Sequence, residues 1–157
     1  MSTGISMHGV PPAEPARSLA DCPILSNLAG SDVECLLEGA KTLRFETGET
    51  VFRRGDPGDS VLLVRSGSVV VEVQCAAGGS VVVNVVKPGE IFGEMAVLAG
   101  TTRSATVTAL EGCELLAISQ SEFLALLVNH PGLGIRVLGA VSERLRRLTD
   151  LVGELGA

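Results

Sequence analysis

Basic residues are too few in this chain to form a nucleic-acid surface. Lysine and arginine together number 12, aspartate and glutamate number 18, and the formal net charge is -6. A protein that neutralises nucleic-acid phosphates needs a basic stripe. The composition therefore argues against direct binding of DNA or RNA.

Long apolar runs are absent as well. No run approaches the roughly 18 apolar residues that a membrane span needs. The first 20 residues contain neither the basic start nor the apolar core of a signal peptide, and are rich in proline, glycine and serine. We therefore predict a flexible tail over residues 1–20 and a cytoplasmic protein without a membrane partner.

Metal-ligating and nucleophilic residues lack the spacing that either chemistry requires. The four cysteines and two histidines are Cys22, Cys35, Cys75, Cys113, His8 and His130. No two of them have metal-ligand spacing, so we expect reduced, mostly buried thiols and no metal site. Neither a G-x-S-x-G elbow nor a G-x-x-x-x-G-K-[ST] phosphate loop occurs. We expect no enzymatic activity and no cofactor.

The residues that are present predict one mainly β domain. Hydrophobic residues make up 46% of the 157 residues and charged residues 19%, a globular balance. Runs such as "SVLLV", "SVVVEVQ" and "SVVVNVV" are rich in valine and are separated by turns such as "RRGDPGDS", "AAGGS" and "KPGE". Turns about ten residues apart predict a compact antiparallel barrel or sandwich over about residues 42–118.

Helices flank this β body in the prediction. Ser31 with Glu34, and Ser119 with Glu122, have capping-box spacing before apolar residues. After the break at "NHPG", apolar residues recur at alternating steps of three and four, which predicts a helix over about residues 132–155. These seam positions are Leu138, Val141, Leu145, Leu148, Val152 and Leu155. An apolar stripe as narrow as this one favours self-dimerisation through the helix. The alternative is that the helix packs on the barrel of its own chain.

One acid and one base stand in a loop of small residues. In "FGEMAVLAGTTRSATV", which begins at Phe92, Glu94 and Arg103 are surrounded by glycine, alanine, valine and threonine. A buried arginine needs an anion, which Glu94 or a ligand would supply. Free amides around Gly93 would bind a phosphate together with Arg103. A carboxylate repels phosphate but accepts hydroxyl groups, so this second interpretation predicts a phosphorylated sugar.

The same stretch resembles the phosphate-binding cassette of the cyclic nucleotide-binding domain family. "FRRGDPGDSVLLVRSGSVVV" is similar to the strand pairs that precede the cassette in those β-rolls. The resemblance covers about residues 22–155. It implies an antiparallel, jelly-roll-like β-roll with an N-terminal helix and a long C-terminal helix, so residues 21–157 would form one cyclic nucleotide-binding domain.

The resemblance also implies roles for cassette residues. Glu94 would bind the ribose 2′-OH, and Arg103 would bind the cyclic phosphate. Ser104 would contact a phosphate oxygen, and the amides around Met95 and Ala96 would bind the same phosphate. These residues, with Phe92 and Gly93, form the predicted ligand-binding segment.

Residues outside the cassette receive weaker assignments. Val71, Val83 and Val86 match positions that line the pocket in the family, although alternating valines in a barrel are equally consistent with its core. Gly67 and Gly89 match turn glycines, where a positive φ or a close approach is expected.

The C-terminal part resembles the catabolite activator group within the family. Arg144 falls where that group has an arginine near the ribose-binding glutamate, and a salt bridge to Glu94 is expected. Two successive hydroxyl residues reach the base in that group, one of them across the dimer, whereas this chain has Leu148 and then Thr149. That group continues into a helix-turn-helix, whereas this sequence stops at Ala157. We therefore expect a sensor domain without its own DNA-binding domain.

These observations predict a regulatory sensor that binds a cyclic mononucleotide. Ser104 follows the arginine where relatives that prefer cyclic GMP often carry threonine, so cyclic AMP is favoured over cyclic GMP. A homodimer through the C-terminal helix and a downstream protein partner are expected. The alternative is an interaction module that binds no nucleotide, in which Glu94 pairs with Arg103.

Overall fold

The described part of the chain contains eight strands and four helices. The computed structural model describes residue 25 and residues 30–156, and the predicted tail over residues 1–20 lies outside them. The helices are α1 (Gly30–Gly39), α2 (Glu94–Ala99), α3 (Gln120–Asn129) and α4 (Pro131–Gly156). The strands are β1 (Lys41–Phe45), β2 (Thr50–Phe52), β3 (Ser60–Ser66), β4 (Val69–Gln74), β5 (Ser80–Val86), β6 (Ile91–Phe92), β7 (Thr106–Ala109) and β8 (Cys113–Ser119).

The strands form two antiparallel four-stranded sheets. One sheet has the order β1-β8-β3-β6 and the other the order β2-β7-β4-β5. Every strand pair is antiparallel. With α1 before the sheets and α4 after them, this architecture confirms the predicted β-roll with flanking helices.

Two apolar clusters stabilise the fold. One joins the outer face of the first sheet to the helices and contains Leu63, Leu116 and Phe123. The other lies between the sheets and contains Val69, Val86 and Cys113 among its fully buried members. Burial of large aliphatic side chains stabilises such clusters by roughly 1.5–3 kcal/mol for each side chain.

Turn glycines adopt the backbone that the sequence predicted. Gly67 has φ 76° and Gly89 has φ 89°. At Gly67, an added Cβ would lie 2.2 Å from the Gly112 carbonyl oxygen, so this turn also requires a residue without a side chain.

The predicted break between the last two helices is present. The Ser119 hydroxyl accepts a hydrogen bond from the Glu122 amide at 3.3 Å, which caps α3. Helix α3 ends at Asn129, α4 begins at Pro131, and the two axes differ by 115°. Among residues 30–156, no single helix has the length and apolar composition of a membrane span, although α3 and α4 meet that criterion as a bent pair.

The predicted burial of the thiols is only partly correct. Cys113 is fully buried, but Cys35 and Cys75 are exposed. Cys35 lies on the solvent face of α1, and Cys75 lies at the end of β4 beside the turn to β5. Cys22 lies outside the described residues.

Candidate functional site

Helix α2 begins directly at Glu94, behind a glycine. Gly93 adopts φ 81° and ψ 1° at the N-cap, and it has no side chain to cap the helix. The Met95 amide donates a hydrogen bond to the Glu94 carboxylate at 3.2 Å. The other backbone donors of this first turn have no N-cap side chain to cover them.

Arg103 is buried beside this turn. Its Nη1 donates to the Gly93 carbonyl at 2.9 Å, and its Nη2 donates to the Ser60 carbonyl at 2.8 Å. Only 4% of the residue is exposed, and within residues 30–156 its Nε has no hydrogen-bond partner. Burial lowers the pKa of Arg103, opposed by the carboxylates of Asp59, Asp56 and Glu94.

Glu94 is paired with the C-terminal helix. Only 2% of Glu94 is exposed, and its carboxylate accepts a hydrogen bond from Arg144 of α4. Arg144 also donates to the Ile91 carbonyl. The salt bridge expected between Arg144 and Glu94 is therefore present, and it joins the cassette to α4.

A cavity of about 230 Å³ lies between the cassette, the second sheet and α4. The cassette contributes Phe92, Gly93, Glu94, Met95, Ala96, Arg103, Ser104, Ala105 and Val107, the sheet contributes Phe52, Val71, Val73, Val83 and Asn84, and α4 contributes Val141, Arg144, Leu145, Arg147 and Leu148. Its walls are mainly apolar, and charged groups lie at the cassette and along α4. Such a cavity suits a ligand with an apolar ring and an anionic group.

Nine of the eleven residues predicted to bind a ligand line this cavity: Phe92, Gly93, Glu94, Met95, Ala96, Arg103, Ser104, Val83 and Arg144. Met95 lines the cavity but is 53% exposed, and its amide is bonded to the Glu94 carboxylate. Val71, the third of the valines, lines the cavity too.

The assignment of Val86 to the cavity wall is wrong. Val86 is fully buried and packs in the cluster between the sheets. The register of β4 and β5 pairs Val71 with Asn84 and Glu72 with Val82, so Val83 is the extra residue of a β-bulge. The bulge brings the adjacent residues Val83 and Asn84 to the cavity, whereas Val86 pairs with Val69 in the core.

Thr149 does not line the cavity of its own chain, so its predicted contact with the base across a dimer stays a prediction. Leu148 lines the cavity, and Thr149 is the next residue, about 100° further around α4. Thr149 is exposed, and its hydroxyl donates to the Leu145 carbonyl at 2.9 Å. The hydroxyl therefore faces away from the ligand site of the same chain.

Four of the residues that sequence reasoning missed have polar or aromatic side chains. Ser60 and Phe52 contact Arg103, the former through its carbonyl and the latter through its ring. Asn84 and Arg147 both line the cavity and are joined by a hydrogen bond of 3.2 Å. The position of Asn84 within an apolar strand was the one available signal, since an amide there needs a partner.

Comparison with known proteins identifies the family of this fold. Residues 42–130 match the family described as the cyclic nucleotide-binding domain.

The chain belongs to the cyclic nucleotide-binding domain family.

This membership confirms the resemblance predicted from the cassette and makes the chain a cyclic nucleotide-binding regulatory domain. A "Cyclic AMP receptor protein" of Thermus thermophilus is 32% identical over 124 residues, which is 79% of this chain and 57% of the relative. The crystal structure of the Thermus thermophilus catabolite activator protein superposes with a TM-score of 0.72 at 32% identity, covering 85% of this chain and 62% of that chain.

A second structural relative has a different ligand in its name. The "c-di-GMP Responsive Global Regulator" of Xanthomonas campestris has a TM-score of 0.69 at 28% identity, over 82% of this chain and 65% of that one. The chain thus spans less than two thirds of the length of each of these relatives. Relatives of similar fold are named for different cyclic nucleotides, so membership of the family does not by itself identify the ligand.

Proposed function

We propose that this chain is a regulatory sensor that binds a cyclic mononucleotide, with cyclic AMP favoured over cyclic GMP. The observation that carries the proposal is the convergence of Arg103, Glu94 and the start of α2 on one mainly apolar cavity. We further propose that the chain is not an enzyme and acts in the cytoplasm, where its exposed thiols Cys35 and Cys75 stay reduced.

Each end of the ligand has a matching group in the cavity. Arg103 and the first amides of α2 would bind the cyclic phosphate, because a guanidinium and a helix start both favour an anion. Glu94 accepts hydrogen bonds from Arg144 and Met95 and has lone pairs left for a sugar hydroxyl. The base would lie between valines of β4 and β5 and Leu148 of α4.

Helix α4 would transmit the signal. Arg144 of α4 is bonded to Glu94, and Val141 and Leu148 form part of the cavity wall. A ligand that contacts both Glu94 and α4 has different affinities for the packed and displaced positions of this helix, and shifts their populations accordingly. The chain would form a homodimer through α4, and a downstream partner protein would respond to the changed position of this helix.

The test is calorimetric titration of the purified chain with cyclic AMP and cyclic GMP, alongside light scattering before and after ligand. Micromolar or tighter binding, about 8 kcal/mol, supports a sensor and ranks the two bases. The Arg103→Ala variant should lose binding while it keeps its fold, since the phosphate then lacks its charged partner.

Absence of heat with either nucleotide would overturn the proposal. It would favour an interaction module without a ligand. That alternative predicts a bond between Glu94 and Arg103, whereas among residues 30–156 Glu94 is bonded to Arg144 and Arg103 to backbone carbonyls.

A further inference from the structure

The Phe52 ring lies against the guanidinium of Arg103. The central carbon of the guanidinium is 4.3 Å from the ring centroid. Phe52 itself is supported by Phe92, whose ring centroid is 5.9 Å away at an interplanar angle of 37°. Phe92 is 2% exposed, so this aromatic pair is anchored in the core and presents one ring face to Arg103.

Arg103 lies between two cavities. The nucleotide cavity is on one side, and a second cavity of about 260 Å³ lies on the other, with Phe52 and Arg103 in the walls of both. The second cavity is also lined by Asp56 and Asp59. Both carboxylates attract the guanidinium, and attraction toward them competes with attraction toward a ligand phosphate.

The hydrogen bonds of Arg103 fix only part of its guanidinium. Nη1 donates to the Gly93 carbonyl and Nη2 donates to the carbonyl and the hydroxyl of Ser60, whereas Nε has no partner among the described residues. A group held by carbonyls at one edge can still tilt about that edge. The Phe52 ring covers one face of the guanidinium and thereby limits the tilt.

We propose that Phe52 is a positioning residue for nucleotide binding, whose ring holds the Arg103 guanidinium at the nucleotide cavity against the attraction of Asp56 and Asp59. The role rests on the proposed function of the cavity. An aliphatic side chain would fill the same space in the core, but it lacks the ring quadrupole that attracts a cation over its face. The aromatic character of residue 52, rather than its volume, therefore sets the orientation of Arg103.

The experiment measures binding of cyclic AMP and of the two diastereomers of its phosphorothioate analogue to the wild-type chain, Phe52→Leu and Phe52→Tyr. The two diastereomers differ only in which phosphate oxygen is replaced by sulfur, so the ratio of their affinities reports contact with the phosphate. Phe52→Leu should bind cyclic AMP about fivefold more weakly, which corresponds to about 1 kcal/mol, the order of one cation–π contact. It should also bring the diastereomer ratio closer to one.

Phe52→Tyr keeps the ring face and should restore both the affinity and the ratio. If Phe52→Leu fails to fold, Phe52→Met provides a flexible apolar replacement for the same comparison. If the folded aliphatic variant binds cyclic AMP with wild-type affinity, or loses the same affinity for both diastereomers, the role of Phe52 is overturned. The proposed function would remain. Absence of binding by the wild-type chain would instead overturn the proposed function, and this role with it.

Discussion

Gly93 combines a positive φ with a close approach to Arg103. Its φ is 81°, and a Cβ at this position would lie 2.7 Å from Nη1 of Arg103. We predict that Gly93→Ala lowers nucleotide affinity at least about tenfold, because the added methyl group displaces the phosphate-binding guanidinium, and lowers the free energy of unfolding by about 1 kcal/mol. Titration calorimetry and urea denaturation measure the two effects.

Gly78 provides the matched control for this substitution. Its φ is 99°, but an added Cβ would meet no atom within 4 Å. Gly78→Ala should therefore carry a similar backbone strain and leave nucleotide affinity unchanged. Equal loss of affinity in both variants would mean that strain alone, and not displacement of Arg103, governs the effect at Gly93.

Cys113 gives the protein a pH dependence in the alkaline range. Burial, with smaller contributions from the carboxylates of Glu49 and Glu111, raises the pKa of the thiol from 9.0 to about 11. The folded state therefore holds this proton more tightly than the unfolded state. The resulting stabilisation is complete below pH 9 and is lost as the pH rises toward 11.

The corresponding prediction is a fall of at most about 3 kcal/mol in the free energy of unfolding across that range. Urea denaturation at several pH values should show this component in the wild-type chain and not in Cys113→Ala. Cys75→Ala, at an exposed thiol, should behave as the wild-type chain does. Parallel pH profiles for all three proteins would contradict the prediction.

Helix α4 has two apolar faces where the sequence suggested one seam. Val141 and Leu148 line the nucleotide cavity, whereas Leu138 and Val152 are 65% and 61% exposed. Leu145 lies at the boundary, since it lines the cavity and is 62% exposed. The alternating steps of three and four between apolar residues therefore predicted the helix. They did not predict which of these residues face the cavity and which are exposed.

Local patterns predicted the elements of the fold well. Valine-rich runs became strands, and Ser119 capped α3, because both depend on short stretches of sequence. The β-bulge at Val83 could not be predicted, since a shift of register depends on the partner strand.

Site residues that are close together in sequence could be predicted, and those that are distant in sequence could not. The cassette residues are contiguous in sequence, and their placement around one cavity follows from one helix start. Phe52 and Ser60 reach Arg103 from more than 40 residues away and belong to strands whose order in the sheets no local pattern specifies. Such partners become visible only once the sheets are assembled.

Arg144 is the link between the cassette and α4. We predict that Arg144→Gln weakens nucleotide affinity about tenfold, because Glu94 then keeps a buried charge without its cationic partner and loses its orientation. Calorimetric titration measures the loss. Arg146→Gln, at an exposed arginine on the same helix, is the control and should bind as the wild-type chain does.

The exposed face of α4 gives a prediction for the whole molecule. Leu138 and Val152 are apolar and exposed on one helix, and we expect them to pack against a second copy of the chain. Leu138→Glu combined with Val152→Glu should therefore halve the mass measured by light scattering. Val128→Glu, at a valine of α3 that is 79% exposed, should leave the mass unchanged. A monomeric wild-type chain would contradict this expectation.

The contact between Glu94 and Arg144 has a consequence for any protein that binds this domain. Occupancy of the nucleotide cavity is thermodynamically coupled to the position of α4 through this contact. Coupling between two binding events is reciprocal. A partner that holds α4 away from the cassette would act as an antagonist of the nucleotide. The factor by which it weakens nucleotide binding would equal the factor by which the nucleotide weakens binding of that partner.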